Sequence, residues 1–360
     1  MSLKNLKTIA IICNYEIRED RIGGMDRFFL AFDAKAETLG YKVSWFFIGQ
    51  KRFGFYDGLD ITITSTESVE TLFLNHLRVD NATYTHVITH FIELCTSFYK
   101  VIKIKTQAYC IAVDHNPRPL RGYAYKKRIK LKIKGLIYSK YIDKFVAVSK
   151  YTKKQILNDF GNCVSKKIII VYNGIDTQVI KEQRVKRSDL KFIVASHLRP
   201  SKGVQDLLLA LSFLSDDEKH KFKIDIFGEG PIESELKIFT KRKGLQEIVS
   251  FKGSSSDLPT LFSNYSYMIQ PTYMECFSLS ILESLAANVP VITTQVGGNL
   301  EIISAEENGY IFQAGDIQAL SAIISDLISG KKGIIDRVDE KIENFYNLER
   351  MVNEHIDLLV

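Results

Sequence analysis

Short runs of apolar residues recur along the chain and alternate with segments whose apolar residues lie three or four positions apart. The runs predict buried strands, because a strand of a parallel sheet is covered on both faces. The predicted strands span residues 7–13, 42–48, 86–91, 107–113, 144–148, 167–172, 190–196, 223–227, 248–251, 267–271 and 290–295. Helical spacing lies between them, for example at 28–39, 204–214 and 277–287. This alternation predicts an α/β fold with open parallel sheets.

A polar, charged run at 179–189 interrupts the series of strands and predicts a linker between two domains. The chain has 360 residues, 46% of them apolar, which is more than one domain usually contains. We therefore predict a first domain at 1–178 and a second α/β domain that begins at residue 190.

The first residues and the cysteines indicate a cytoplasmic protein. The apolar run Ile9–Cys13 is too short for a signal peptide or a membrane span. The five cysteines are scattered, odd in number, and lack the spacing of a metal or redox motif. We interpret them as core residues of a protein kept under reducing conditions.

Charge is distributed unevenly along the chain. Residues 1–178 carry 28 Lys and Arg against 16 Asp and Glu, a net charge of +12, whereas the remainder carries 20 against 26, a net charge of −6. Much of the excess lies in Arg118–Lys144, where basic residues alternate with Tyr, Ile and Leu. Such a segment is compatible with binding to anionic lipid head groups or with a solvated helix face. Nucleic acid is a third option, but it is not expected because no recognition motif accompanies the segment.

The densest candidate site lies between residues 270 and 299, where a strand, a loop, a helix and a second strand follow one another. Ligands of open α/β sheets bind at the carboxyl ends of the strands, where a helix start offers N–H groups and a positive dipole end. Glu275 in the loop and Glu283 in the helix can therefore face one cleft and accept hydrogen bonds from sugar or ribose hydroxyls. Alternatively, Ser280 and Glu283 form a capping box and Glu275 is a solvated loop acid.

Two further strand ends in the first domain carry candidate residues. Gly23 and Gly24 separate the first strand from the following helix and allow the backbone to approach a ligand, although such glycine turns are also common without one. His115 follows the strand at 107–113. It is either a structural residue or, at the ligand edge, a hydrogen-bond donor or a proton carrier near neutral pH.

In the second domain, the loop that follows residue 196 supplies two cations at the same predicted sheet edge as Glu275. Arg199 can bind phosphate oxygens with two parallel hydrogen bonds, and Lys202 can neutralise a second charge. Together they match a diphosphate. The alternative is a pair of ordinary surface charges in a polar loop.

In their order and spacing, these motifs resemble glycosyltransferase family 4 over nearly the whole chain. The matching motifs are Gly23-Gly24, His115, Asn173-Gly174-Ile175-Asp176, Arg199 with Lys202-Gly203, Phe227-Gly228-Glu229-Gly230, Glu275 with Glu283, and Pro290-Val291-Ile292. The resemblance implies a GT-B fold, in which two Rossmann-like domains face each other across a cleft. It also implies that a last helix, at 341–360, packs back on the first domain, which leaves 190–340 for the second.

The resemblance further implies a role for each matching residue. Arg199 and Lys202 would hold a diphosphate, Glu283 the ribose, and Glu275 the donor sugar together with the N–H groups of Phe277 and Ser278. The implied donor-binding residues are Gly23, Gly24, His197, Arg199, Lys202, Gly228, Gly253, Glu275, Cys276, Phe277, Ser278, Leu279 and Glu283. The implied catalytic residues are Arg199, Lys202, Glu275 and His115, and the implied acceptor-binding residues are Gly24, His115 and Asn116.

Three positions depart from the family pattern. Ser278 and Asn288 each stand where the family often has Gly, and Asn tolerates left-handed backbone angles. His197 stands where many members have the phosphate-binding Arg, and Arg199 follows two residues later. If the strand continues to this point, both side chains point to the same side and Arg199 can still reach the phosphate.

The function implied by the resemblance is a retaining transfer of a hexose-type sugar from a nucleotide-diphosphate donor, with a UDP-sugar favoured over a GDP-sugar. The acceptor would be a hydroxyl of a glycan or a lipid-linked glycan in bacterial surface polysaccharide synthesis. The family needs no metal or other cofactor, and its mechanism is drawn as a front-side substitution in which the departing phosphate helps to deprotonate the acceptor. The protein would act in the cytoplasm, at the inner face of the membrane if Arg118–Lys144 binds lipid. A nucleotide-sugar epimerase and a non-catalytic nucleotide-sugar-binding subunit are the alternatives.

Overall fold

The computed structural model describes residues 7–180 and 190–359. In this part of the chain the residues separate into two compact units. The first unit runs to Asn173 and includes the residues from Leu348 onward, and the second spans Gly174–Asn347. Each unit contains one parallel sheet with helices between its strands. The predicted α/β class with two Rossmann-like domains is therefore confirmed.

The first unit is built on a seven-stranded sheet with the order β3-β2-β1-β4-β5-β6-β7. The order reverses at β1, which pairs with β2 on one side and with β4 on the other. Its strands are β1 (Lys7–Glu16), β2 (Tyr41–Ile48), β3 (Ile61–Thr64), β4 (His86–His90), β5 (Tyr109–Asp114), β6 (Lys144–Ala147) and β7 (Ile168–Ile170). Its connecting helices are α1 (Gly24–Thr38), α2 (Val69–Val79), α3 (Ser97–Thr106), α4 (Tyr125–Tyr138) and α5 (Lys150–Phe160).

The second unit repeats this plan with six strands in the order β10-β9-β8-β11-β12-β13. Its strands are β8 (Leu190–Ala195), β9 (Phe222–Phe227), β10 (Val249–Gly253), β11 (Tyr267–Gln270), β12 (Val291–Thr294) and β13 (Gly309–Phe312). Its helices are α6 (Val204–Leu211), α7 (Asp216–Lys219), α8 (Glu233–Arg242), α9 (Leu258–Leu261), α10 (Leu279–Ala286), α11 (Asn299–Ile302), α12 (Ile317–Ile328) and α13 (Glu340–Phe345). The final helix of the chain, α14 (Leu348–Ile356), belongs to the first unit.

Apolar packing holds the helices of the first unit on its sheet. One cluster joins Phe46 of β2 to Phe73 of α2 and Ile102 of α3. A second cluster joins Phe145 of β6 to Ile156 of α5. Burying a large apolar side chain contributes roughly 1.5–3 kcal/mol. Cys110 and Ala112 lie two residues apart on β5 and belong one to each cluster, so both clusters cover the same face of the sheet.

Two strands were not predicted from the sequence. β3 and β13 are edge strands of four residues each, and each has one strand neighbour in the sheet. β3 alternates isoleucine with threonine and is partly exposed, whereas β13 is a mostly buried apolar run of only three residues after Gly309. The α1 helix also begins earlier than predicted, at Gly24 instead of Phe28.

The C-terminal segment returns to the first unit, but it is not the single helix predicted at 341–360. The first of its helices, α13, remains in the second unit, where Ile342 is buried. The second helix, α14, packs on α1 in the first unit. The helical conformation is interrupted at Tyr346 and Asn347. α13 buries its apolar residues in the second unit, and α14 buries its own in the first.

The first unit ends at Asn173 instead of 178. Just beyond this boundary, the Ile175 N–H donates to the Tyr346 carbonyl oxygen at 3.0 Å. The segment that leaves the first unit and the segment that returns to it therefore run side by side. Most of the predicted linker at 179–189 lies outside the described residues.

Four of the cysteines are buried, as predicted for core residues, but Cys163 is exposed. None of the helices described in residues 7–180 and 190–359 is long and apolar enough to cross a membrane.

Candidate functional site

Two loops of the second unit meet at the carboxyl ends of β8 and β11, which are neighbours in the sheet. The Tyr273 N–H donates to the Ser201 carbonyl oxygen at 2.8 Å, and the Thr272 hydroxyl donates to the same oxygen at 3.2 Å. Gly203 has a φ of 72°, and a Cβ at this position would lie 1.9 Å from the Pro271 carbonyl oxygen. A residue other than glycine would push the two loops apart, so Gly203 permits their contact.

The contact between these loops brings Lys202 and Glu275 together, although 73 positions separate them in the chain. Lys202 Nζ lies 2.9 Å from Glu275 Oε2, and the two side chains are 18% and 16% exposed. The other carboxylate oxygen of Glu275 accepts a hydrogen bond from the Cys276 N–H at 3.1 Å. A Cβ on Gly297 would lie 2.1 Å from the Glu275 carbonyl oxygen, so close backbone packing also holds this residue. The predicted acid and cation therefore form one preorganised pair.

Helix α10 begins immediately after this pair. Its N-cap is Ser278, whose hydroxyl accepts a hydrogen bond from the Ile281 N–H and another from the Gln270 side-chain amide at 2.8 Å. The capping box considered for Ser280 and Glu283 is therefore wrong, because both residues lie within the helix. Cys276, Phe277 and Ser278 are buried, while Leu279 and Glu283 are half-buried.

The structure explains how two of the departures from the family pattern are accommodated. Ser278 has a φ of −81°, which needs no glycine, and its hydroxyl bonds within the protein at the start of α10. Asn288 has a φ of 59°, in the left-handed region that Asn tolerates better than most residues. Its side-chain oxygen accepts a hydrogen bond from the Val338 N–H at 3.1 Å.

β8 ends at Ala195 and does not continue to residue 199. The alternation of side chains along a strand therefore does not place Arg199 on the same side as His197. His197 and Arg199 are nevertheless both exposed, on either side of the buried Leu198. The backbone of Leu198 is held by hydrogen bonds with Glu229 and Ile232. The chain therefore presents both candidate phosphate-binding side chains to solvent next to Lys202.

Gly228 and Gly253 lie at the ends of β9 and β10, on the same edge of this sheet. The Gly228 N–H donates to the Gly253 carbonyl oxygen at 2.8 Å, and the Ser196 carbonyl oxygen lies against Gly228. The predicted donor-binding residues of the second unit thus occupy the carboxyl ends of adjacent strands.

In the first unit, Gly23 and Gly24 form the start of α1 instead of a loop before it. Gly23 is the N-cap residue, and its N–H donates to the Asp26 carboxylate at 2.7 Å. Asp26 is buried and also accepts hydrogen bonds from the Tyr15 and Tyr56 hydroxyls. Burial raises the pKa of Asp26, and these hydrogen bonds oppose the rise. This side-chain network was not predicted.

His115 belongs to a histidine cluster that was also not predicted. Its Nε2 lies 3.0 Å from Nδ1 of His90, and its ring stacks on Phe91 at 4.3 Å. The His90 ring stacks in turn on His355 of α14 at 6.1 Å. Burial lowers the pKa of His115 to about 3 and that of His355 to about 4. The hypothesis that His115 carries a proton near neutral pH is therefore disfavoured, whereas a neutral hydrogen-bonding role fits.

Asn116 lines a cavity of about 340 Å³ in the first unit. The cavity walls include the aromatic rings of Phe91, Tyr123 and Phe160 and several charged side chains. His115 and Gly24 are not among its lining residues. The three predicted acceptor-binding residues therefore do not share this cavity.

The basic segment 118–144 does not form one continuous surface. Arg118 is buried and donates to Asp159 at 2.9 Å and to Asp114 at 3.0 Å. Lys134 forms an ion pair with Glu93 at 2.7 Å. The predicted lipid-binding segment is therefore reduced to the exposed residues of α4 and of the loop just before it.

Some residues at these sheet edges were not predicted from the sequence, because their contact partners are distant in the chain. Asp26 meets Tyr56, and His90 meets His355, through tertiary contacts that no local pattern indicates. Gly297 carries a usable signal, since it lies in a Gly-Gly pair directly after a predicted strand. In the part of the chain that the structure describes, no three His, Cys, Asp or Glu residues are grouped in a way that could hold a metal ion.

Comparison with known proteins agrees with this arrangement. The family model described as "Glycosyl transferases group 1" matches residues 176–345, and the model described as "Glycosyltransferase Family 4" matches residues 67–179. N-acetyl-alpha-D-glucosaminyl L-malate synthase from Bacillus anthracis is 27% identical over 203 residues, which cover 53% of either chain. A putative colanic acid biosynthesis glycosyltransferase from Escherichia coli is 24% identical over 212 residues, which cover 55% of this chain and 52% of the relative. The chain thus spans about half the length of these curated relatives.

A similarity to solved structures extends over the whole fold. The crystal structure of the Anabaena protein HepE in complex with UDP and glucose matches with a TM-score of 0.77 and 16% identity, covering 99% of both chains. At this identity the likeness establishes the fold alone. The two family models lie end to end over most of the chain, and each of the two units has the sheet order expected of a Rossmann-like domain. The chain therefore belongs to glycosyltransferase family 4 and has the GT-B type of fold.

Proposed function

We propose that this protein is a retaining glycosyltransferase that uses a UDP-sugar as donor. The acceptor is a hydroxyl of a glycan or a lipid-linked glycan in the synthesis of a bacterial surface polysaccharide, and the reaction takes place on the cytoplasmic side of the membrane. The observation that carries the proposal is the Lys202–Glu275 pair at the carboxyl edge of the second sheet. The UDP complex of the structural neighbour and the colanic acid relative support the choice of nucleotide and product.

In this proposal the second unit holds the donor. Lys202 and the exposed Arg199 bind the diphosphate, and Glu275 binds hydroxyls of the sugar together with the N–H groups at the start of α10. Glu283 binds the ribose. Lys202 lies 2.9 Å from Glu275 in this structure, so the cation proposed to bind the diphosphate also contacts the carboxylate proposed to bind the sugar. One lysine can then contact both halves of the bond that breaks.

The proposed reaction proceeds by front-side substitution without a metal. The bond between the sugar and the diphosphate breaks, the acceptor oxygen attacks from the same face, and the leaving phosphate takes the acceptor proton. Negative charge develops on the leaving group, and preorganised cations that stabilise such charge typically contribute roughly two to three orders of magnitude in rate. His115 is neutral at physiological pH because burial lowers its pKa to about 3. A ring with so low a pKa is a weak base, which agrees with the leaving phosphate as the group that accepts the proton.

The cavity of the first unit supports a sugar as acceptor. Carbohydrate sites combine aromatic rings, on which the apolar face of a sugar packs, with carboxylates that accept hydrogen bonds from its hydroxyls. Tyr123 and Phe91 provide rings in this cavity, and Glu93 and Asn116 provide polar groups. We assign this cavity to the acceptor.

The first experiment measures donor binding and transfer with the purified protein. A thermal-shift panel of UDP, GDP and ADP and of their sugars identifies the nucleotide, since a ligand that binds the folded state raises the unfolding temperature. We expect the largest shifts from UDP and one UDP-sugar. Transfer to a glycan acceptor with retained anomeric configuration, observed by NMR and unchanged by EDTA, tests the mechanism. An inverted product, or activity that EDTA abolishes, would contradict it.

Variants link the reaction to the observed pair. Lys202→Met and Glu275→Gln are each expected to lower kcat about 100-fold or more. Lys219→Met is the control, because Lys219 is 20% exposed, like Lys202, but forms its ion pair at 3.0 Å with Asp216, which is 91% exposed. It lies in α7, which leads into the amino end of β9, on the opposite edge of the sheet from Lys202. Release of a free epimerised sugar would favour the epimerase, and nucleotide-sugar binding without turnover on any acceptor would favour a non-catalytic subunit.

A further inference from the structure

Helix α4 leaves five large apolar side chains exposed to solvent on one side. Tyr125 is 75% exposed and Leu136 is 71% exposed. The exposed apolar residues are Tyr125, Ile129, Ile133, Leu136 and Ile137, and we call them the outward face of α4. Single exposed apolar residues are ordinary on protein surfaces, but a contiguous patch of them indicates an interaction surface.

The geometry of the helix shows that this face is contiguous. An α-helix turns about 100° per residue, so the five residues fall within an arc of about 120° on the side opposite Leu131. Leu131 and Gly135 are the buried residues of the helix. A Cβ on Gly135 would lie 2.5 Å from the Phe160 carbonyl oxygen, so α4 lies directly against α5. This close contact fixes the rotation of α4 and keeps the apolar residues pointing outward.

Positive charge accompanies the outward face. Six residues of α4 are Lys or Arg, and none is Asp or Glu. By the same rotation, Lys130 lies along one border of the face and Lys126 lies within it, and both are exposed. Lys132 lies along the other border, but its ammonium group donates to the Leu157 carbonyl oxygen of α5 at 3.2 Å. A lysine beside an apolar stripe can place its aliphatic stem among lipid chains and its ammonium group at the level of phosphate.

We infer that the outward face of α4 docks the first unit on a membrane surface rich in anionic lipid. The helix lies parallel to the bilayer, its apolar side chains enter the boundary between head groups and acyl chains, and Lys126 and Lys130 bind lipid phosphates. A second copy of the chain fits this face less well, because an interface between two such helices would bring two sets of cations together with no acid on either helix. Charge complementarity therefore selects the lipid.

Docking of this kind deepens the proposed function. Lys127 and Leu131 of α4 also line the cavity assigned to the acceptor, and Tyr123 lies just before the helix. Because Leu131 lies opposite the outward face, a docked α4 would hold that cavity about one helix diameter, roughly 10 Å, from the head groups. The sugar of a lipid-linked acceptor extends from the head groups over such a distance. This step rests on the proposed acceptor, whereas the docking itself is measured without any transfer reaction.

The test uses the full-length protein and vesicles of defined composition. Flotation with phosphatidylcholine vesicles is compared with flotation with vesicles that contain phosphatidylcholine and about 30% phosphatidylglycerol, at low and at high salt. We expect binding to the anionic vesicles and weaker binding at high salt, because salt screens the lysines. The double variant Ile133→Ser/Leu136→Ser is expected to lose about tenfold or more in vesicle affinity. The double variant Lys126→Gln/Lys130→Gln is expected to lose about twentyfold.

Ile238→Ser is the control, because Ile238 is a 68% exposed isoleucine on helix α8 of the second unit, which carries both acidic and basic residues. We expect it to bind vesicles as the unchanged protein does. Equal binding to neutral and anionic vesicles would overturn the inference, and so would full binding by the Ile133→Ser/Leu136→Ser variant. Absence of vesicle binding, with a dimer that this variant converts to a monomer in light scattering, would overturn it in favour of a second copy of the chain.

The substituted residues are exposed, so each variant should keep its unfolding temperature and its thermal shift with the donor nucleotide. A variant that loses vesicle binding but keeps its thermal shift with the donor nucleotide separates membrane docking from donor binding. Conversely, a protein that binds anionic vesicles but no nucleotide-sugar would contradict the proposed transfer reaction and leave the docking surface intact.

Discussion

The two units share one sheet order but hold their carboxyl edges together in different ways. In the second unit the loops are joined through backbone, because Gly203 and Gly297 each pack against a carbonyl oxygen with no room for a Cβ. In the first unit the edge is held by buried polar side chains. Arg118 joins Asp114 to Asp159, and Asp26 gathers hydrogen bonds at the start of α1.

This difference separates two kinds of recognition. Backbone packing holds the chain in place whatever the neighbouring side chains are, which suits a part of the substrate that family members share, such as a diphosphate. Buried side-chain pairs can be exchanged for other pairs, which suits a part that varies, such as the acceptor. We therefore expect the first unit to lose most stability when a buried charge is removed. The second unit should lose most stability when a methyl group is added at a tightly packed glycine.

The largest effect is expected from Arg118→Met. Removal of this guanidinium leaves Asp114 and Asp159 buried without their partner, and breaking a buried ion pair costs about 3–5 kcal/mol of unfolding free energy. Chemical denaturation measures the loss. Lys134→Met is the control, because its partner Glu93 lines the same cavity but is 60% exposed, so the pair contributes less than about 1 kcal/mol. Equal losses in the two variants would show that the Arg118 cluster does not hold this edge.

A somewhat smaller effect is expected from a single methyl group in the second unit. Gly203→Ala places a Cβ 1.9 Å from the Pro271 carbonyl oxygen at a φ of 72°, and we expect a loss of about 3 kcal/mol together with the loss of donor binding. Gly244→Ala has a similar φ of 66° but open space around it, so strain alone should cost about 1 kcal/mol.

The same substitution in the first unit sharpens the comparison. Gly23→Ala meets the Asp26 carboxylate at an ordinary 3.6 Å and has no positive φ, so it should cost less than about 1 kcal/mol. Thermal unfolding of the three alanine variants measures the order of their losses in stability. A loss at Gly23 as large as that at Gly203 would contradict the distinction between the two edges.

The histidine cluster predicts a pH dependence that is specific to the first unit. Burial lowers the pKa of His355 to about 4, below the unfolded value of about 6.5, so the folded state binds fewer protons than the unfolded state. Its contribution to stability is therefore fully present above about pH 6.5 and is lost as the pH falls towards about 4. At about pH 5 the loss amounts to about 2 kcal/mol.

The variant His355→Leu should remove about this amount from the difference in unfolding free energy between about pH 7 and about pH 5. His220→Leu, at an exposed histidine of the second unit, is the control and should leave the difference unchanged. An identical pH profile for His355→Leu and the unchanged protein would show that the cluster does not resist protonation.

The smallest effect is expected from Ser278→Ala. It removes the hydroxyl that caps α10 and should cost about 1 kcal/mol, as Ser68→Ala should at the start of α2. Because the Ser278 hydroxyl bonds to Gln270 and to its own helix, we expect the KM for the donor to change less than about threefold. A larger change in KM with unchanged stability would show that this hydroxyl contacts the donor.

Much of the architecture follows from local patterns in the sequence. The apolar runs locate most of the strands, because strands buried on both faces have few polar positions. The glycine pairs, Glu275 and Lys202 are recognisable as site residues because a ligand edge needs close backbone approach and fixed charges. The two edge strands β3 and β13 were not predicted, because each is only four residues long and β3 has a threonine at every second position.

Tertiary contacts decided the remainder. The sequence alone placed Lys202 and Glu275 at one sheet edge, but only the close packing at Gly203 brings their charged atoms to 2.9 Å. The sequence marked Arg118 as part of a basic surface, whereas the fold buries it between two aspartates. It also left open whether His115 carries a proton, and burial beside His90 and Phe91 makes it neutral. Local pattern determines which elements form, but the environment of a charge depends on which distant residues the fold packs around it.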